Sequence, residues 1–231
     1  SVNEKLGPTD SRGFGFLLLK NGIDALKAIG LKNKLLHKAN AINTFKAITP
    51  KGNLIYTRAL EHCLAIGRED FLSLLTNDLD PSFTSYNKTF QALEFDTNNH
   101  ISGVRFDDEK LTESEIYFAT DGIRSGVRTQ LFPQNQFTAL DEREIVGMVE
   151  LPELDLRKDE FIKIVDVAAG KSTGLIPLNN GKYIWFIQFN QSTHPIHENT
   201  PQALKQYAQD TSTHYPDWFK LVIDQTDFNQ A

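Results

Sequence analysis

The sequence predicts a mixed α/β (α+β) protein whose first part alternates helix and strand and whose second part is mainly antiparallel sheet. Three observations carry this. Up to about residue 135, glycine-marked turns and apolar repeats of helical spacing alternate with short β-rich runs. Beyond about residue 137, the extended runs "EIVGMVEL", "FIKIVDV", "TGLIPL" and "KYIWFIQF" follow one another, separated by turn residues such as Asn179-Asn180-Gly181. An earlier stretch, "INTFKAI" then "TPKGN" then "LIYT", reads as a hairpin of the same extended character. The predicted division is 1–35 and 58–135 for the α/β part, and 36–57 and 136–231 for the sheet part.

Each element has a local reason. "RGFGF" (Arg12 to Phe16) is a glycine-punctuated loop that leads through Leu17-Leu18-Leu19 into "NGIDALKAIGL". There Ile23, Leu26 and Ile29 form an apolar stripe and Gly30 is a stop signal. "NKLLHKAN" predicts a second short helix, and "REDFLSLLTNDL" a third, with Phe71, Leu72, Leu75 and Leu79 on one side. "FTSYNKTFQALEF", Asn98-Asn99 and "ISGVRF" predict a second hairpin. Thr200-Pro201 and Pro216 start two helices near the end, because proline suits a first helical turn.

Composition excludes several classes. The 231 residues are 40% hydrophobic and 23% charged, an ordinary globular make-up with enough chain to bury a core. The net charge of -6 argues against general nucleic-acid binding, which needs a basic face. A single cysteine, Cys63, rules out an internal disulfide framework and fits a reducing compartment. No apolar run has membrane-spanning length and no signal-peptide pattern opens the chain, so a cytoplasmic location is expected.

The stretch "IYFATDGIRSGVRTQLF" (116–132) changes period in the middle. Ile116-Tyr117-Phe118-Ala119 is strand-like, the run breaks at Thr120-Asp121-Gly122, and Ile123, Val127 and Leu131 then recur at helical spacing. A strand that turns sharply into a helix presents free N–H groups and the positive end of the helix dipole, a place to hold an anion. Gly122 allows close approach of backbone or ligand, and Asp121 is a candidate helix cap. By itself this is also what an ordinary capped helix with solvated arginines looks like.

"TDGIRSGVR" (Thr120 to Arg128) resembles the Asp-Gly motif of the class A flavoprotein monooxygenases, the para-hydroxybenzoate hydroxylase-like family, departing only at Thr120, where alanine is usual. Glu4-Lys5, ahead of Gly13-Phe14-Gly15-Phe16, is similar to the end of that family's second dinucleotide-fold strand. "LLLKNGIDALKAIGL" is similar to the helix that follows, and "AIGREDFLSLL" to the family's I-x-R-x-x-L segment. The family's opening G-x-G-x-x-G strand and its later Gly-Asp motif have no counterpart in this sequence, so an internal portion of such a flavoprotein is expected.

The resemblance implies a partial FAD-binding Rossmann-like domain and a substrate-binding β-sheet domain. It implies a monooxygenase of hydroxylase or epoxidase type that uses FAD, NAD(P)H and O2 on an aromatic or other electron-rich small molecule. It assigns Glu4 with Lys5 to the cofactor ribose, Arg68 to the flavin or its diphosphate, and Asp121 with Gly122 to the cofactor loop, with Arg128 bracing that loop. No catalytic nucleophile or acid–base pair is found, and flavin chemistry needs none. A rival flavin halogenase lacks its W-x-W-x-I-P signature here, and a non-catalytic binding or scaffold module is the alternative of a different class.

The other tempting residues read as structural. His194 and His197 flank a proline with no supporting ligand constellation and are assigned to a loop, not a metal. Cys63 reads as buried filler, and Trp185 with Phe186 as sheet core in preference to an aromatic substrate lining. With no glycine loop for the diphosphate, the 231-residue segment alone is expected to purify colourless and to leave the fluorescence of micromolar flavin unquenched. Stoichiometric FAD retained through gel filtration would overturn that expectation.

Overall fold

The computed structural model describes residues 1–7 and 13–231; Arg12 of the "RGFGF" loop lies outside the described residues. Strand β1 (Val2–Asn3) is followed by β2 (Gly15–Leu18) and helix α1 (Lys20–Ala28), which ends just before Gly30. Helix α2 (Lys32–Lys38) and β3 (Asn40–Ala41) lead to the hairpin β4 (Thr44–Ile48) and β5 (Leu54–Ala59). Strand β6 (Leu64–Gly67) runs directly into α3 (Arg68–Thr76). Strand β7 (Thr84–Ser85) precedes the second hairpin, β8 (Phe90–Phe95) and β9 (Ile101–Phe106), then β10 (Leu111–Thr112) and α4 (Gly126–Leu131). The long strands are β11 (Glu142–Glu150), β12 (Glu160–Asp166), β13 (Lys171–Pro177) and β14 (Lys182–Asn190). Helices α5 (Pro201–Ser212) and α6 (Asp217–Gln225) follow. The architecture is mixed α/β with several sheets, mostly antiparallel.

The chain forms two compact units, 1–12 with 78–139 and 13–77 with 140–231. In the smaller unit β1 pairs with β7 in parallel, and β8, β9 and β10 form an antiparallel sheet. One expected strand does not form there. Ile116–Ala119 pairs with no strand among the described residues, and Ile116 is 68% and Phe118 87% exposed. β-propensity marks a residue that suits a pleated surface; without a partner backbone it builds no ladder. The helix after the turn also starts later than the apolar spacing predicts, at Gly126, leaving Ile123 outside it.

The larger unit is built on a six-stranded sheet of order β11-β14-β13-β12-β4-β5. The early hairpin joins the late strands as expected, through a parallel pairing of β4 with β12. A smaller sheet, β2-β6-β3, packs with α1, α2 and α3 through Leu26, Leu35, Ile66 and Leu74. Segments 13–35 and 58–77 therefore pack within the unit of the large sheet. A unit of this kind is defined by packing, whereas the predicted cofactor-binding domain is defined by the ligand it would hold.

Along β14 the side chains alternate. Tyr183, Trp185, Ile187 and Phe189 point to the face covered by α5 and α6, where they meet Tyr215, Phe219, Val222, Ile223 and Phe228. Trp185 is fully buried, edge-on to Phe219 with ring centres 6.4 Å apart. Each such burial is worth roughly 1.5–3 kcal/mol. The Trp185 indole N–H donates to Thr226 Oγ1 at 2.8 Å, and Thr226 donates on to the Val222 carbonyl at 2.7 Å. Replacing Thr226 with valine keeps the shape but leaves the buried indole N–H unpaired. Thr226→Val should cost about 1–3 kcal/mol in urea unfolding followed by tryptophan fluorescence. An unchanged midpoint would mean that the indole finds another acceptor.

Candidate functional site

The functional candidates fall in both units. Glu4, Lys5, Asp121 and Gly122 belong to the smaller one and Arg68 to the larger.

In the smaller unit, Glu4 follows β1. Its backbone N–H donates to the Ser85 carbonyl at 2.9 Å and its carbonyl accepts from the Lys88 N–H at 2.9 Å, so it extends the pairing with the segment after β7. Its exposed carboxylate accepts from the Leu6 N–H at 2.9 Å through one oxygen. Lys5 beside it is exposed. A carboxylate fixed at a strand end, with lone pairs to spare, suits hydroxyl donors such as those of a ribose.

The Asp121–Gly122 turn borders a cleft of about 300 Å³ lined by Ala119, Asp121, Gly122, Arg128 and Phe132 among others. Gly122 has φ +82 and open space where a Cβ would stand. The turn thus needs the left-handed region, and glycine supplies it without strain. Ser125, not Asp121, is the N-cap of α4: its Oγ accepts from the Arg128 N–H at 2.9 Å. The Asp121 carboxylate adds a second anchor by accepting from the Val127 N–H at 3.2 Å. Partial burial alone would raise the Asp121 pKa, but the Ser125 hydroxyl and the N–H groups of Val127 and Gly126 outweigh it and hold the carboxyl below its ordinary 3.8. Arg128 donates to the Ile123 carbonyl and stacks over Phe137, 5.0 Å from the ring centre. It braces the loop. The helix itself is pinned to β8 by Gln130, whose side chain exchanges hydrogen bonds with the Leu93 backbone at 2.7 and 3.0 Å.

In the larger unit, Arg68 is the first residue of α3, its N–H held by the Phe14 carbonyl at 3.0 Å. The guanidinium lies 5.6 Å from the centre of the Phe16 ring, and its Nε is buried with no hydrogen-bond partner among the described residues. A cation at the positive end of a helix is doubly in need of an acceptor. The phosphate or carbonyl oxygens of a flavin dinucleotide are acceptors of the required kind, so the residues present fit FAD.

On the sheet face opposite Trp185, a row of aromatic rings crosses the strands. Tyr56, Phe45, Phe161 and Phe186 follow one another with ring centres 5.7, 5.0 and 6.2 Å apart. The joint reading of Trp185 and Phe186 as core thus divides: Trp185 is core, whereas Phe186 is only partly buried on the other face. The parity of "YIWFIQF" carried that distinction; the alignment of Phe45 with Phe161 depends on a long-range pairing that no local signal announces. Cys63 is buried, which raises its thiol pKa. His194 Nε2 lies 2.6 Å from the Ala169 carbonyl, and no cluster of metal-ligating side chains occurs among the described residues.

The fold is that of the FAD-dependent monooxygenases, and solved structures of that class match nearly the whole chain. Klebsiella pneumoniae HpxO complexed with FAD and uric acid matches with a TM-score of 0.81 at 16% identity, covering 99% of this chain and 59% of HpxO. A Photorhabdus luminescens subsp. laumondii protein named as an FAD containing monooxygenase matches with a TM-score of 0.81 at 18% identity, covering 99% and 67%. Pseudomonas aeruginosa PqsL in complex with 2-aminobenzoylacetate gives 0.75 at 17% identity, covering 97% and 63%. The chain spans about three fifths of the length of HpxO. No protein-family model and no curated protein matches the sequence. No described helix is long and apolar enough to cross a membrane.

The depressed Asp121 pKa fixes the sign of a pH effect. Its contribution to stability is present above the ordinary carboxylate value of 3.8 and is lost as pH falls through the lower folded value. Asp121→Asn should therefore destabilise the protein near neutral pH and by less in strong acid, as read by urea unfolding at several pH values. A penalty independent of pH would remove the carboxylate charge from the account.

Proposed function

We propose that this chain serves in an FAD-dependent monooxygenase that uses NAD(P)H and O2 to oxygenate an aromatic or other electron-rich small molecule. The observation that carries the reading is the buried Arg68 Nε, without a partner among the described residues, set at a helix start in a fold shared with FAD-bound structures. When bound, the flavin takes reducing equivalents from the nicotinamide and activates oxygen for transfer to the substrate. The chain's own residues bind and orient. Arg68 donates to the flavin or its diphosphate, Glu4 with Lys5 receives the ribose, and the Asp121–Gly122 turn shapes the cofactor loop. The aromatic row from Tyr56 to Phe186 offers flat apolar faces to a planar substrate. No side chain of this set has to act as a nucleophile.

Arg68 decides between this reading and a non-catalytic module. In the full-length protein, oxidised flavin absorption should accompany the purified wild type, and Arg68→Ala should weaken FAD binding about 10- to 100-fold, the loss of one charge-assisted hydrogen bond. Arg68→Lys, which keeps charge but not the planar fork, should fall between. A full-length wild type with no flavin absorption and no affinity for added FAD would sink the proposal in favour of a binding or scaffold module.

A further inference from the structure

One cation stands within the aromatic row. In the register of the large sheet, Tyr56, Ala47, Lys163, Gly174 and Phe186 face one another in turn across β5, β4, β12, β13 and β14. Side chains directly opposite in a ladder share a face, so Lys163 projects on the side of the rings. Its neighbours on either hand, Ala47 and Gly174, are the two smallest residues of that line. The Phe186 ring lies over Gly174, and Lys163 Nζ stands 5.8 Å from the ring centre. Phe161 is two residues earlier on β12, with Phe45 opposite it and their ring centres 5.0 Å apart. Lys163 is partly buried there.

The ammonium is poorly matched within the protein. Lys163 Nζ donates to one neutral acceptor, Gln188 Oε1, at 3.3 Å. That oxygen also accepts from Ser172 Oγ at the shorter 3.0 Å. An ammonium carries three N–H groups, so two are left without a protein acceptor among the described residues. Lys38, Lys46, Lys88 and Lys220 each pair with a carboxylate, whereas Lys163 forms no ion pair among the described residues. Glu144 stands opposite Gln188 on β11, but it is exposed and forms none with Lys163. A cation held beside ring faces, with donors to spare, complements a flat ligand that carries negative charge. We propose that Lys163 is a specificity-determining residue, which pairs with a carboxylate or ionised oxygen of an aromatic substrate laid against the row. Gln188, itself fixed by Ser172, steadies the ammonium in that position. The proposal rests on the monooxygenase reading above, and it narrows the substrate to aromatic anions.

Two probes of one shape, 2-naphthoate and the neutral 2-naphthamide, test this when titrated into the full-length protein by ligand-observed NMR. The wild type should bind the carboxylate about 10-fold or more tightly than the amide, the worth of one charge-assisted hydrogen bond. Lys163→Met keeps the apolar stem and removes the charge. It should bring the two affinities within about threefold, with the amide affinity and the flavin content as in the wild type. Lys163→Arg should restore the preference for the carboxylate. A preference that survives in Lys163→Met, a wild type with none, or no binding of either probe at millimolar concentration would overturn the role of Lys163. The flavin absorption of the same wild-type sample judges the monooxygenase reading separately, because the NMR titration reads the anion preference with or without flavin.

Discussion

Along β14 successive side chains leave the sheet on opposite faces, and in "YIWFIQF" the two sets differ in size and in company. Tyr183, Trp185, Ile187 and Phe189 are buried to 2% exposure or less beneath α5 and α6. Ile184 and Phe186 face the other way, and Phe186 continues the aromatic row through Phe161 and Phe45 to Tyr56. A one-residue slip of β14 against β11 and β13 would exchange the faces and expose the core set. The register Trp185↔Gly147 and Phe186↔Gly174 forbids it sterically as well, since each glycine lies beneath the ring opposite. A Cβ at Gly174 would come within 2.2 Å of the Phe186 ring. The sheet is thereby committed to one face packed under α5 and α6 and another that carries the aromatic row, and the functional proposal uses the second.

A second demand is local: each turn into a helix leaves free N–H groups that need acceptors. At α4 the sequence supplies two, Ser125 as cap and Asp121 as supplementary acceptor. The Asp121–Gly122 corner is consequently held by its own helix before any ligand arrives. At α3 there is no side-chain cap; Gly67 occupies that position and Arg68 follows it. Glu69 and Asp70 offset part of the charge, although Asp70 is also drawn to Lys38 at 2.8 Å. Of these two helix starts, α3 has the poorer internal satisfaction, and it carries the buried donor that has no partner among the described residues.

Much of this was legible from residues alone. The hairpins at 44–59 and 90–106 follow from turn chemistry, Gly52 and Asn99 taking positive φ where the chain reverses. Thr200 and Pro201 start α5 as expected, with Thr200 accepting from the Ala203 N–H at 3.2 Å. Ile116–Ala119 misled, because extended propensity does not say whether a neighbouring strand exists. The start of α4 was displaced for a similar reason: Ile123, Val127 and Leu131 are spaced for a helix, but Ser125 fixes where the helix can begin. The parallel seam of β4 with β12 joins residues remote in sequence, and nothing local encodes it. Arg68 was identified by resemblance alone; that its Nε lacks a partner belongs to three-dimensional packing.

Four buried polar atoms among the described residues lack partners, and their chemistry separates them into two kinds. Arg68 Nε carries a single N–H on a guanidinium, and an anionic or strong carbonyl acceptor pairs with it better than a neutral one. In the proposed function that acceptor is an oxygen of the flavin or its diphosphate. The hydroxyls of Thr173, Tyr207 and Tyr215 are neutral and both give and accept hydrogen bonds, and a second hydroxyl lies near each phenol, Thr211 by Tyr207 and Thr173 by Tyr215. They also lie on the sheet face that α5 and α6 close, among side chains committed to packing. Of the four, the donor at the start of α3 is therefore the one without a neutral group of its own kind beside it, and the proposed function rests on it.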